Sequence, residues 1–208
     1  FDTRIFYKEC ISLAKAGFEV FLVTTHDKDE EVNEVKIRAI PKHKNRFQRI
    51  FEKTWIAYRR ALETKAYVFH FHDPELIPVG WMLKLKGKKV IYDVHENYPA
   101  EILNKDWLGP LLIRRIVAAV VGFLEALSSK VFDAIVIVVP DSRRRFPKRK
   151  TILVQNFPSV DTIDNAPLPE VPKNKLTVIY AGDLTRVRGI KECIQAMEYV
   201  GDFSELWL

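Results

Sequence analysis

Along the chain, apolar residues alternate between two spacings. Phe6, Cys10, Leu13 and Ala14 fall at helical spacing and predict a helix over residues 4–16, with Gly17 where a C-terminal cap belongs. EVFLVT at 19–24 predicts a buried strand, and 35–40 alternates weakly, a short strand that Pro41 ends. Residues 42–63 return to the helical period and carry Phe47, Phe51, Trp55, Tyr58 and Leu62 on one stripe. Strands are then predicted at 67–71 (YVFHF), 89–94 (KVIYDV), 134–139 (AIVIVV) and 151–154, with helical patterns at 75–86 and 110–128 between them. After four prolines in 158–172 come a fresh strand at 176–180 (LTVIY), a turn at Ala181-Gly182, a helix over 190–199 and an opening strand at 205–208.

Near-continuous apolar strands separated by helices define a parallel sheet covered on both faces, so the predicted fold class is α/β, a doubly wound Rossmann-like sheet. The proline-rich, acidic stretch 158–175 reads as a linker between a first domain, 1–157, and the beginning of a second, 176–208. A doubly wound unit normally starts with a strand, whereas residue 1 stands just before a helix, so the 208 residues read as a fragment of a longer protein. The 110–128 segment reads as a buried helix joining two strands.

Composition narrows the class further. With 48% hydrophobic and 29% charged residues the chain is an ordinary globular one, which excludes wholesale disorder and low-complexity architectures. Cys10 and Cys193 lie near opposite ends, neither a disulfide framework nor a zinc spacing, so a reducing cytoplasm is the expected location. The longest apolar run, 116–124, is too short for the roughly 20 residues of a membrane span, and no secretory leader pattern opens the chain. The net charge of +6 hints at an anionic partner.

Ligands of open parallel sheets bind outside the carboxyl ends of the strands. Two neighbouring strand-helix units place polar residues there: His70, His72 and Asp73 after the first, Asp93, His95, Glu96, Asn97 and Tyr98 after the second. His70, between two phenylalanines, reads as a core or supporting residue, and His72-Asp73-Pro74 also fits a helix entry with Asp as N-cap. His95-Glu96 is the better candidate for general acid/base or hydrogen-bonding work, as a titratable pair at a strand terminus. Two rival chemistries stay open: a metal-dependent hydrolase with His70, His72, Asp73, Asp93, His95 and Glu96 as ligands, and a non-catalytic binding module on the same scaffold.

Five runs together resemble the group 1 glycosyltransferases of family GT4: the run from Phe1 through Val23, HFHDPEL at 70–76, VIYDVHENYP at 90–99, VQNFP at 154–158 and VIYAGDLTRVRGIKECIQAM at 178–197. The resemblance implies the GT-B fold, with an N-terminal acceptor-side domain and a C-terminal domain for a sugar nucleotide. It implies a retaining transferase acting on a saccharide or lipid-linked acceptor, with the nucleotide-sugar as co-substrate and no metal or other cofactor. His95 stands at the family's active-site histidine, Asp2, Thr3 and Arg4 at the loop lining the cleft, and Gly182, Arg188 and Gly189 at the turn and basic-glycine pair that meet the donor diphosphate. His72, Asp73, Glu96, Asn97, Tyr98 and Asn156 complete the expected cleft. Two departures are visible: Asp183 stands where many relatives have Arg, and Arg188 where many have Lys. The family's Glu-x7-Glu motif is not within the 208 residues, so no turnover is expected from this chain by itself.

Residues 41–60 hold seven cations against one acid, Glu52. Lys42, Lys44, Arg46, Arg49 and Lys53 are therefore candidates to face an anionic membrane at its inner leaflet, with a solvated cationic helix back as the alternative and no nucleic acid expected.

Overall fold

The computed structural model describes residues 1–42, 46–158, 176–184, 186–201 and 203–208, without the side chains of 46–51 and 187. The chain divides into two compact units, Phe1–Phe157 and Pro158–Leu208. Lys44, and the side chains of Arg46, Phe47, Arg49 and Phe51, lie outside the described residues, as does the expected linker from 159 to 175.

The first unit opens with a π-helical stretch, Thr3–Cys10, running into α1, Ile11–Lys15. Asp2 caps it, its Oδ1 accepting from the backbone N–H of Arg4 and Ile5 at 2.8 Å. The far end closes as a Schellman motif: Gly17, at φ +88°, donates to the Ala14 carbonyl and Phe18 to that of Leu13. Phe6, Cys10 and Ala14 face inward as their spacing predicts, while Leu13 stays exposed. Burial pushes the Cys10 thiol up to about 11, with Glu9 adding to the effect.

Strands β1 (Val20–Thr25), β2 (Glu30–Val32) and β3 (Val35–Ile40) form a three-stranded sheet in the order β1-β3-β2. β1 is an edge strand here and only half-buried, in contrast to the buried strand its apolar run predicts; β3 takes the centre with Val35 and Ile37 sealed. β2 pairs antiparallel with β3 through a two-residue turn in which Asn33 and Glu34 both have positive φ. Helix α2 (Arg46–Glu63) turns Tyr58 and Ala61 into the core and leaves Trp55 exposed.

The second sheet is four-stranded and wholly parallel, in the order β4-β5-β6-β7: Val68–Phe71, Lys89–Val94, Ala134–Ile137 and Thr151–Leu153. α3 (Ile77–Leu85), α4 (Tyr98–Leu103) and α5 (Leu111–Val131) make the crossovers, so the architecture is the doubly wound Rossmann-like α/β class that the alternating pattern predicts. Its core joins Phe71, Ile77, Leu83, Val90, Tyr92, Phe132, Ile135 and Phe146. Gly80 of α3 permits the closest approach, since a Cβ there would stand 2.7 Å from Phe132 and 2.8 Å from Phe71.

α5 departs from its expected burial. Its inward face carries Ala118, Glu125, Ser128 and Ser129, whereas Leu112, Ile116, Val120, Phe123 and Leu127 are exposed. The buried carboxylate is matched: Tyr92 Oη donates to Glu125 Oε1 at 2.9 Å, and the Arg145 guanidinium pairs with Oε2. Burial nevertheless raises the Glu125 carboxyl above the usual carboxylate range, against the opposing pull of Arg145 and Tyr92.

In the second unit β8 (Leu176–Ile179) pairs parallel with β9 (Ser204–Trp207), and α6 (Ile190–Ala196) follows Gly189 at φ +71°.

Candidate functional site

At the carboxyl ends of β4 and β5 the period-two alternation brings three imidazoles to one buried carboxylate. Asp93, the penultimate residue of β5, is 0% exposed. Its Oδ2 accepts from Arg4 Nη2 at 2.7 Å and lies 3.4 Å from His70 Nε2 and 3.7 Å from His72 Nδ1. Arg4 also donates through Nε to Glu9 Oε1 at 2.6 Å, so one guanidinium bridges two carboxylates. His70, set by its strand position among phenylalanines, is thus no apolar core residue; its partly exposed ring reaches Asp93 and lies against His72, centroids 4.7 Å apart.

His72 and His95 follow directly on the two strand ends. Nδ1 of His72 and Nε2 of His95 are 2.7 Å apart, with the rings stacked at 4.7 Å. Burial lowers the His72 pKa to about 3; His70, His95 and Arg4 push the same way and Asp93 opposes. His72 is therefore neutral at physiological pH and carries one ring proton. Glu9 Oε2, 3.5 Å from His72 Nε2, favours the proton on that nitrogen. With its proton on Nε2, His72 accepts at Nδ1 from Nε2–H of His95. For Asp93 burial would raise the pKa, but His70, His72, His95 and Arg4 together overcome it and hold the carboxyl below its usual range.

A cleft of about 420 Å³ opens over this cluster, lined by Asp2, Arg4, Ile5, His72, Asp73, His95, Glu96, Tyr98 and Asn156. Seven of the expected cleft positions plus His95 are thus brought together, with Ile5 added, whereas Thr3 and Asn97 are not among the lining residues. Asn97 instead holds the N-cap position of α4, without a side-chain capping bond. Asp73 likewise precedes the turn Pro74–Leu76 without capping it, so the helix-entry role falls to its backbone and the carboxylate faces the cleft. Tyr98 Oη donates to the His72 carbonyl at 3.2 Å, and Lys8 Nζ ties down Asn156 Oδ1 at 2.6 Å. Glu9 is the member that the sequence pattern does not single out.

Glu9, His70, His72 and Asp93 each offer a ligand atom, all within 4.8 Å of one another. In this set a protein cation is already present: Arg4 binds one oxygen of each carboxylate, Glu9 Oε1 and Asp93 Oδ2, while Glu9 Oε2 and Asp93 Oδ1 are buried without a hydrogen-bond partner. Asp73, Glu96 and His95, members of the rival hydrolase set, line the cleft outside this group.

In the second unit Gly182 sits in a bend where a Cβ would stand 2.8 Å from Tyr180 Oη, and Arg188 is exposed in the turn that leads through Gly189 into α6. Of the cations proposed to face a membrane, Lys42 is exposed but 3.2 Å from Asp27 Oδ1, and Lys53 is half-buried.

A Rossmann-like domain with a polar cleft at the carboxyl edge of its parallel sheet is an architecture that many enzyme classes share, so the fold by itself does not name the activity. The chain belongs to Glycosyltransferase Family 4, whose sequence profile matches residues 4–157. Among solved structures it is similar to sucrose-phosphate synthase from Thermosynechococcus elongatus, with a TM-score of 0.67 and 17% identity, a likeness of fold. The match covers 99% of this chain and 56% of that one, so the chain spans little more than half of that neighbour. No curated protein sequence matches significantly.

Proposed function

We propose that residues 1–157 form the acceptor side of a retaining, nucleotide-sugar-dependent hexosyltransferase, and that 176–208 begin its donor side. The observation that carries this reading is the cleft in which His95 is held by neutral His72 and flanked by Asp2, Asp73 and Glu96. Carboxylates and imidazoles accept hydrogen bonds from sugar hydroxyls, while an acid-lined wall disfavours a diphosphate, so the cleft suits an uncharged polyol. The diphosphate belongs instead with Gly182, Arg188 and Gly189, where a guanidinium and backbone N–H groups offer positive charge. In such a reaction His95 touches the reacting sugar; Arg4, Glu9, Asp93 and His72 act through it by fixing its position. The chain's own cations and dipoles stabilise the departing diphosphate, with no metal required.

The acceptor in this reading is a saccharide or a lipid-linked glycan in polysaccharide or glycolipid assembly, met in the cytoplasm at the inner face of the membrane. The basic segment of the sequence with Lys42, Lys44, Arg46, Arg49 and Lys53 supports that apposition. The test is sugar transfer by the full-length enzyme from UDP-, GDP- and ADP-sugars to soluble saccharides and to solubilised lipid extract. Anomeric NMR of the product reads retention. Transfer that survives unchanged in a folded His95→Ala enzyme, or an inverted product, would overturn the assignment.

A further inference from the structure

The outward face of α5 carries an apolar stripe from Leu112 to Leu127. Leu112, Ile116, Val120, Phe123 and Leu127 follow one another at steps of four, four, three and four residues, one helical stripe, and Phe123 is 67% exposed. At about 1.5 Å per residue the stripe from Leu112 to Leu127 runs over ~23 Å of the 21-residue helix. On the opposite side Glu125 is turned onto Tyr92 and Arg145 and Leu124 packs on the core, so the helix is apolar around much of its circumference and the stripe is surplus to what the core takes up. An exposed apolar stripe of this kind on a domain surface marks an interaction site.

Charge selects the partner. The exposed face carries two cations, Arg115 near its start and Lys130 near its end, and the one acid of α5, Glu125, is buried. Two copies meeting through this face would bring together cations with no acid from the helix to match them. An anionic lipid surface satisfies both demands, headgroups for Arg115 and Lys130 and acyl chains for the stripe. Trp107, in the turn just before α5, is 64% exposed, and tryptophan favours the depth of the headgroups. No described helix is long and apolar enough to cross a membrane.

We infer that the outward face of α5 is the surface by which this domain lies on an anionic membrane. The inference deepens the membrane-apposed reading above, which rested on the basic segment of the sequence, by naming a different surface. The test is flotation of the full chain with phosphatidylcholine vesicles containing phosphatidylglycerol. The parent is expected to float with these and poorly with pure phosphatidylcholine. Val120→Ser with Phe123→Ser should lower the bound fraction about tenfold or more. Leu112→Ser with Ile116→Ser serves as a second, independent pair. Arg115→Gln with Lys130→Gln should lower it about fivefold or more, and high salt should mimic that loss. All six side chains are exposed, so thermal melting should be little changed. Binding unaffected by both serine pairs, or no binding by the parent, overturns the inference. So does a parent dimer in sedimentation velocity that the serine pairs convert to monomer. Soluble-acceptor transfer by the full-length enzyme, unaffected by the serine pairs, separates failure of this surface from failure of the transferase reading.

Discussion

Arg4 and Asp93, 89 positions apart in sequence, meet at 2.7 Å with Asp93 sealed from solvent, and this contact ties the π-helical entry of the chain to the end of β5. Because the same guanidinium holds Glu9, a single side chain neutralises much of the charge beneath the cleft.

Replacing Arg4 with Ala should lower unfolding free energy by about 3–5 kcal/mol, since it leaves two carboxylates without their cation in a buried setting. Arg4→Lys keeps the charge but loses the fork, so an intermediate loss is expected. Urea denaturation of the three proteins checks the order.

His72 predicts an acid limb in stability. Its folded pKa of about 3 lies below the ordinary value, so below about pH 6.5 the unfolded chain binds a proton that the folded chain does not. Stability should therefore fall as pH drops from about 6.5 towards 3. Asp93, held low in the fold, contributes in the same direction at the acidic end. His72→Gln should flatten the part between pH 6 and 4 in denaturation curves taken at each pH, roughly the span of that shift.

In the full-length enzyme, His95→Ala should reduce turnover by roughly 10²- to 10⁴-fold with little change in melting temperature. His72→Gln should alter the pH profile of turnover more than its maximum, because His72 acts by accepting from Nε2–H of His95. Equal pH profiles in the two enzymes would remove that positioning role.

Chelation should change neither melting temperature nor turnover, as Arg4 already supplies a cation to both carboxylates of the one His/carboxylate group found among the described residues, through Glu9 Oε1 and Asp93 Oδ2. Stoichiometric zinc in elemental analysis of the purified chain would reverse this and revive the hydrolase chemistry.

Gly80→Ala should destabilise by about 1–3 kcal/mol through overpacking, since the new methyl would press on the rings of Phe132 and Phe71 in the centre of the core. Thermal denaturation reads it directly.

Strands such as β3 and β5 were legible residue for residue because their apolar runs are bounded by Pro41 and by Lys89 with His95. The histidine cluster was legible too, since alternation on adjacent parallel strands determines which side chains gather at one edge. Glu9 was not, because α-helical spacing was assumed where the backbone is π-helical; there, Arg4 and Glu9, five residues apart, meet. The hairpin before β3 escaped notice because Glu34 is an unusual residue for positive φ. Pro99 concealed α4, although in a first turn proline costs no hydrogen bond. The burial of α5 was misjudged for a different reason: periodicity finds the apolar stripe of a helix but does not say whether a core or another surface receives it.

The Tyr92–Glu125–Arg145 triad bears on that last point. A helix with apolar residues on so much of its circumference could slide by a turn, or roll, and still bury comparable hydrocarbon against the sheet. Glu125 makes those settings unequal, because any other one would drag a carboxylate away from its hydroxyl and guanidinium into surroundings that cannot solvate it. The triad thus works as an index pin: it selects one register of α5 out of several nearly degenerate ones.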